Sequence, residues 1–226
     1  MASEFPRSPK TLKGALVVFE SQTPGPPPRI IVFQYNPEQV SRSLALRSAP
    51  PEPSNIGDAR EESHKVLGPP VESITLNILL DAADQLETPA QNPNVVSTGL
   101  HSAIAALEML LYPTTAQVTL NRTLAQAGRA QICAAELPLT LLVWGAARVV
   151  PVRLTSFSVT EEAFDPNLNP IRVKVDLGLQ VLTFMELQDT SLGFGVYLAY
   201  QAQKEALARL QQFTAGVQQV RGILPI

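Results

Sequence analysis

The sequence predicts a mainly β protein with helical additions, and three observations carry that prediction. Residues 171–183 alternate: Ile171, Val173, Val175, Leu177, Leu179 and Val181 are apolar, while Arg172, Lys174, Asp176 and Gln180 are polar. Period 2 marks a strand with one buried and one wet face. Residues 73–81 repeat the pattern, with Ile74, Leu76, Ile78 and Leu80 on one side and Ser73, Thr75, Asn77 and Asp81 mostly on the other. After Met185 the period changes. Ala199, Ala202, Ala206, Leu210, Phe213, Val217, Val220 and Leu224 recur at steps of three and four, the spacing of a helical seam.

Residues 1–13 are polar and proline-bearing and read as a flexible N-terminal arm. GALVVFE, residues 14–20, reads as a first strand. TPGPPP, residues 23–28, cannot join a ladder, because proline has no N–H. RIIVFQY, residues 29–35, is apolar on both faces and is expected deep in the core. Asn36-Pro37 signals a turn, and residues 39–47 resume extended structure. Residues 47–70 carry five prolines and the charged run GDAREESHK, and read as a long loop. Residues 82–96 read as a second polar loop. Ser97 or Thr98 is expected to cap a helix over 100–111, whose stripe is Leu100, Ala103, Ile104, Leu107 and Leu111; Pro113 stops it. Residues 114–136 are ambiguous, and 137–145 read as a buried strand.

The longest feature is a ribbon over residues 150–185, two extended runs around a polar turn at 161–170. In its first run the inward set shifts from Val150, Val152 and Leu154 to Phe157 and Val159, which predicts a β-bulge near Thr155. Its second run, 171–183, would span about 43 Å at roughly 3.3 Å per residue. A ribbon of that length needs a partner surface. The C-terminal seam either folds back on its own β domain or lies on a neighbouring subunit.

Composition narrows the function. A chain of 226 residues suffices for one sizeable core without disulfides. The net charge of −3 and the lack of a basic run argue against nucleic acid as a partner. Aromatics are only 6% and sit mostly in apolar runs, unlike a stacking platform for single strands. A single cysteine, Cys133, excludes an intramolecular disulfide framework and fits a reducing cytoplasm. The first residues lack the apolar stretch of a signal peptide, and no run approaches a membrane span. A cytoplasmic protein with no membrane insertion is expected.

No catalytic, cofactor or metal constellation is expected. His64 sits in the charged loop and His101 at a helix start. Neither these nor Cys133 has neighbours at metal-ligand spacing. Glu161, Glu162 and Asp165 cluster at the ribbon tip, where adjacent strand positions point to opposite faces. Such acids suit tip solubility or contact with a basic partner better than shared proton chemistry. No glycine-rich phosphate loop is present.

An ordered set of motifs resembles a known family. Phe33-Gln34-Tyr35-Asn36-Pro37-Glu38, followed by Val40 and Arg42, resembles the opening block of the tube-like proteins of contractile injection systems. These are phage-tail-like machines that include antifeeding-prophage-type particles. Pro69–Ile74 through Leu80-Asp81-Ala82, the helix 101–113, Pro138-Leu139 with Val143-Trp144-Gly145, and the ribbon from Val150-Pro151-Val152-Arg153 to Leu168-Asn169-Pro170 follow in the family's order. The likeness covers residues 16–183. It implies a phage tail-tube-like β-barrel with one packed helix and long hairpins, plus the C-terminal helix. It also implies a non-enzymatic sixfold ring in the baseplate hub, joining the inner tube to the spike, in a particle assembled in the cytoplasm and open to release. Many relatives carry a C-terminal LysM domain, and this chain shows no such pattern.

On that resemblance the ribbon's wet face lines a channel, with Arg172, Lys174, Asp176 and Gln180 as lumen-facing candidates. Glu161, Glu162, Asp165, Leu210, Phe213 and Val217 are candidates for assembly contacts. Expected partners are further copies of the chain, forming a hexamer, together with inner tube and spike or baseplate proteins. The expected divisions are the arm 1–13, a barrel domain 14–186 and a helical extension 187–226. The competing reading is a monomeric β-barrel that binds a ligand. A charged face on the longest strand argues against an apolar lumen.

Overall fold

The computed structural model describes residues 12–20, 27–47, 66–126 and 137–211. Most of the N-terminal arm and of the 47–70 loop, His64, Cys133, and the seam residues Phe213, Val217, Val220 and Leu224 lie outside them.

Seven antiparallel strands form one sheet: β1 (Ala15–Phe19), β2 (Arg29–Val32), β3 (Val40–Ala45), β4 (Val71–Asp81), β5 (Leu139–Val143), β6 (Val149–Phe164) and β7 (Pro170–Val181), in the order β2-β1-β5-β6-β7-β4-β3. The ladder does not close, and β2 and β3 are its free edges. It curls nonetheless. Gln34 follows β2 by two residues, yet its side-chain amide donates to the Asp81 carbonyl (2.6 Å) and accepts from the Asp81 N–H (2.8 Å). Asp81 ends β4, five strands from β2. In a flat sheet those strands would lie about 24 Å apart, beyond what two residues and a glutamine side chain span. The sheet is therefore bent into an open barrel, with Gln34 across its seam.

β6 and β7 form the long expected ribbon. Val173, Val175, Leu177, Leu179 and Val181 are buried, whereas Arg172, Lys174 and Asp176 are exposed. The register slips between Leu154 and Ser156, which leaves Thr155 as the bulged residue where the phase change predicts it. Gly178 faces the bulge, and a Cβ there would run into the Ser156 hydroxyl.

Four helices separate β4 from β5, instead of the single expected helix: α1 (Ala83–Leu86), α2 (Pro93–Thr98), α3 (His101–Glu108) and α4 (Thr115–Gln126). Residues 82–96 are thus not simply a loop. α1 and α2 are too short to show apolar periodicity and are held by side chains. Asp81 Oδ1 accepts the Ala83 N–H, and Asn92 Nδ2 donates to the Gln85 and Thr88 carbonyls. Ser97 and Thr98 do not cap α3; their hydroxyls donate to the Asn94 carbonyl at the end of α2. Leu100 takes the cap position, and its N–H is satisfied by the Pro170 carbonyl at 2.9 Å. The ambiguous stretch after Pro113 is helical through Gln126.

The core lies between the sheet's apolar face and the helices. Leu16, Val18, Phe33, the inward residues of β4 and β7, and Leu100, Ile104 and Leu107 make one cluster. β2 departs from expectation. It is an edge strand, with Ile30 and Val32 more than half exposed on its outer face, and only Phe33 just beyond it lies deep. The C-terminal helix α5 (Leu192–Gln211) packs back on the domain, but through Gly193, Tyr197 and Tyr200 rather than the alanine seam. Ala199, Ala202, Ala206 and Leu210 face outward.

Gly99 joins the helices to the ribbon. Its φ of 54° lies in the region that favours glycine, and an added Cβ would sit 2.5 Å from the Pro170 carbonyl oxygen. Gly99→Ala is expected to lower unfolding free energy by about 2 kcal/mol or more, read by urea denaturation. A loss under about 0.5 kcal/mol would contradict this account of the joint.

Candidate functional site

The structure presents three surfaces able to act: the polar face of the central strands, the two open edges, and the ribbon tip. The polar face spans β4, β7 and β6, and its charges are paired across strands as the register places them. Arg172, opposite Asp81, donates to its Oδ2 through both Nε (2.9 Å) and Nη2 (2.8 Å). Lys174 pairs with Glu162, Asn77 donates to Asp176 (2.6 Å), and Arg153 donates to Gln180 (2.7 Å). The four lumen-facing candidates, Arg172, Lys174, Asp176 and Gln180, are thus brought onto one face, each tied to a neighbouring strand. Arg153, Arg172 and Lys174 balance Asp81, Glu162 and Asp176, so this face carries no net formal charge. The Ala83 N–H and Arg172 hold the Asp81 carboxyl below its ordinary range despite partial burial.

The edges and the seam are organised by the segment after β2. Phe33 anchors in the core against Trp144, with ring centroids 6.3 Å apart. Two residues beyond Gln34, Asn36 repeats its role. Its Oδ1 accepts the Gly14 N–H (2.9 Å) and its Nδ2 donates to the Leu12 carbonyl (2.8 Å). Each primary amide thus substitutes for a peptide group, Gln34 towards β4 and Asn36 towards the strand entering β1. Sequence reasoning placed this segment as a strand and a turn and missed the bridging. The available signal was two amides two residues apart, both on one face of an extended segment.

At the ribbon tip the three acids part company. Glu162 is bound to Lys174. Glu161 is exposed, with no ion pair among the described residues. Asp165 holds its own loop: its Oδ1 accepts the N–H of Asn167 (2.7 Å) and of Asn169 (2.8 Å), and its Oδ2 accepts Asn169 Nδ2 (2.8 Å). The bonds from Asn169 and Asn167 keep the Asp165 carboxyl below its ordinary range.

A buried carboxylate that the sequence did not flag fixes α5. Glu72 is 4% exposed and shares the inward face of β4. It receives Lys204 Nζ (2.9 Å), the Tyr200 hydroxyl (3.4 Å) and, at 3.6 Å, the Arg42 guanidinium. Lys204 also sits 4.1 Å from the centre of the Tyr200 ring. This anchoring turns the seam outward: Leu210 is 66% exposed. Phe213 and Val217 lie outside the described residues. His101 is exposed at the start of α3. Among the described residues no three His, Cys, Asp or Glu side chains converge as a metal site, and no helix is long and apolar enough to cross a membrane.

A curled antiparallel sheet with a long amphipathic ribbon, open edges and a self-paired polar face defines a structural subunit rather than a reaction centre. Comparison with protein families agrees. The chain matches the contractile injection system tube protein family over residues 11–189, most of its length. It belongs to that family and is a structural component of a contractile injection system. No curated protein matches the chain.

Two predictions test this geometry. Gln34→Ala should destabilise the domain by roughly 1–3 kcal/mol, because it leaves both Asp81 backbone groups unpaired. Gln34→Glu should be at least as harmful, since a carboxylate cannot donate to the carbonyl; equal stability of Gln34→Glu and wild type would exclude the bridge. On the ribbon, Val175→Asp should prevent folding, because Val175 is fully buried. Lys174→Glu should keep the circular dichroism spectrum and shift thermal unfolding by only a few degrees.

Proposed function

We propose that the protein is a ring-forming adaptor of the baseplate hub, joining the inner tube to the spike as a hexamer. Membership of the tube family supports a role within the particle; the ring reading rests on the two open edges. β2 and β3 each leave one side of their backbone unpaired, and β2 adds exposed Ile30 and Val32 on its outer face. Exposed apolar edges are a liability in a free monomer and an asset where neighbours cover them. Head-to-tail closure of such contacts generates a ring. In that ring the polar face of β4, β7 and β6 is the channel wall, and Arg172, Lys174, Asp176 and Gln180 face the lumen. Glu161, Glu162 and Asp165 lie towards an axial neighbour. The outward seam of α5, including Leu210, meets a neighbouring subunit.

The role is passive: it positions the spike and transmits force. The interior between sheet and helices is filled by Phe33, Leu16, Ile74, Ile78, Leu107 and their neighbours, which argues against the alternative of a ligand-binding barrel.

Electron microscopy of particles assembled with the double variant Ile30→Lys, Val32→Lys tests the reading. The variant should fold, with unchanged circular dichroism, and be missing from purified particles. Its normal incorporation would sink the edge-to-edge ring. Incorporation of the wild type at a position away from the tube–spike junction would sink the adaptor role.

A further inference from the structure

We propose that the tip of the β6–β7 hairpin is a preformed apolar knob that inserts into the opposite end of the sheet on a second copy of this chain, stacking copies head to tail. The first observation is strain without burial. Leu168 has φ 66° and is the only described non-glycine residue with positive φ. A bulky side chain there costs about 1–3 kcal/mol. Yet the Leu168 side chain is 77% exposed, so no packing within its own chain offsets the strain. The conformation is imposed by the Asp165 cage and by the Leu168 N–H donating to the Asp165 carbonyl (3.0 Å). The tip is braced by the Leu100 N–H on the Pro170 carbonyl. Phe164, 48% exposed, lies at its base.

The second observation is a matching surface at the far end. Leu46, Leu67, Phe184 and Met185 are each about half exposed or more. They gather where β3 and β7 end and β4 begins: Gly68 lies against the Met185 sulfur, and Arg47 Nε donates to the Pro69 carbonyl (3.0 Å). Knob and socket stand at opposite ends of β7, whose 12 residues separate them by roughly 36–40 Å. They cannot meet within one chain, whereas translation of a second copy along the strand axis brings them together. Charge is complementary as well. Glu161 near the knob and Arg148 in the β5–β6 turn at the socket end both lack an ion-pair partner among the described residues. Both halves of the contact belong to this chain, which is why the occupant is another copy.

The inference deepens the ring reading, on which its setting in the particle rests, but the contact joins two chains and is testable without a ring. Sedimentation velocity of the full chain over a concentration series should show wild-type assemblies that grow with concentration. Leu168→Asp lacks the knob and Leu46→Asp disrupts the socket; each alone should associate at least tenfold more weakly. Mixed in equal amounts they should form a 1:1 pair and nothing longer, because one intact knob and one intact socket remain. Leu168→Gly separates the role from folding: it should raise thermal stability by relieving strain, yet weaken association like Leu168→Asp. A wild type that stays monomeric, variants that associate like wild type, or a mixture without pairs would each overturn the contact. Loss of lateral closure with pairing intact would instead count against the ring.

Discussion

The hydrogen-bonded seam at Gln34 is the constraint on which the other features rest. A seven-stranded antiparallel sheet with consecutive strands β2 and β3 at opposite edges cannot be flat, because only residues 33–39 connect them. Curling brings the edges near each other but leaves a gap that no backbone ladder fills. Gln34 supplies the missing peptide-like group, and Asn36 does the same two residues on. The curl turns the apolar face inward, where Phe33, Ile104, Leu107 and Tyr197 fill it. It also turns the polar face of β4, β7 and β6 outward as one continuous surface.

That surface illustrates how structural and assembly demands share residues. Each charge on it is held by a partner across the ladder, and exposed pairs of this kind add little stability singly. Their consequence is uniformity: the face bears both signs in balance and no stretch of one sign. The bulge at Thr155 and the small Gly178 opposite it adjust the twist midway along the ribbon without breaking its pairing. The ribbon therefore behaves as one stiff element whose two ends report on each other's position.

The C-terminal helix shows the opposite economy. A buried carboxylate needs compensating partners to be tolerated, and Glu72 draws two cations and a phenol from β3 and α5. The result sets the helix's rotation. Tyr197 and Tyr200 face the sheet, and the alanine seam is left for something else to cover. A docking driven by the seam alone would have buried Ala199 and Ala202 instead.

The sequence by itself determined the strand periods, the ribbon and its bulge, the division of Ile171–Val181 into a buried and a wet set, and the family. These are local or pairwise properties, written in side-chain alternation and motif order. Tertiary structure alone decided the rest. The edge position of β2 is invisible in RIIVFQY, because an apolar run reads the same in a covered strand as in one awaiting a neighbour. The helicity of α1 and α2 depends on Asp81 and Asn92 reaching backbone groups that only folding brings near. The same holds for Glu72, whose partners lie 30 and more than 120 residues away, and for Gln34, whose partner is Asp81. Hydrogen bonds between distant segments leave no period in the chain, so they appear only when the sheet curls and brings their ends together.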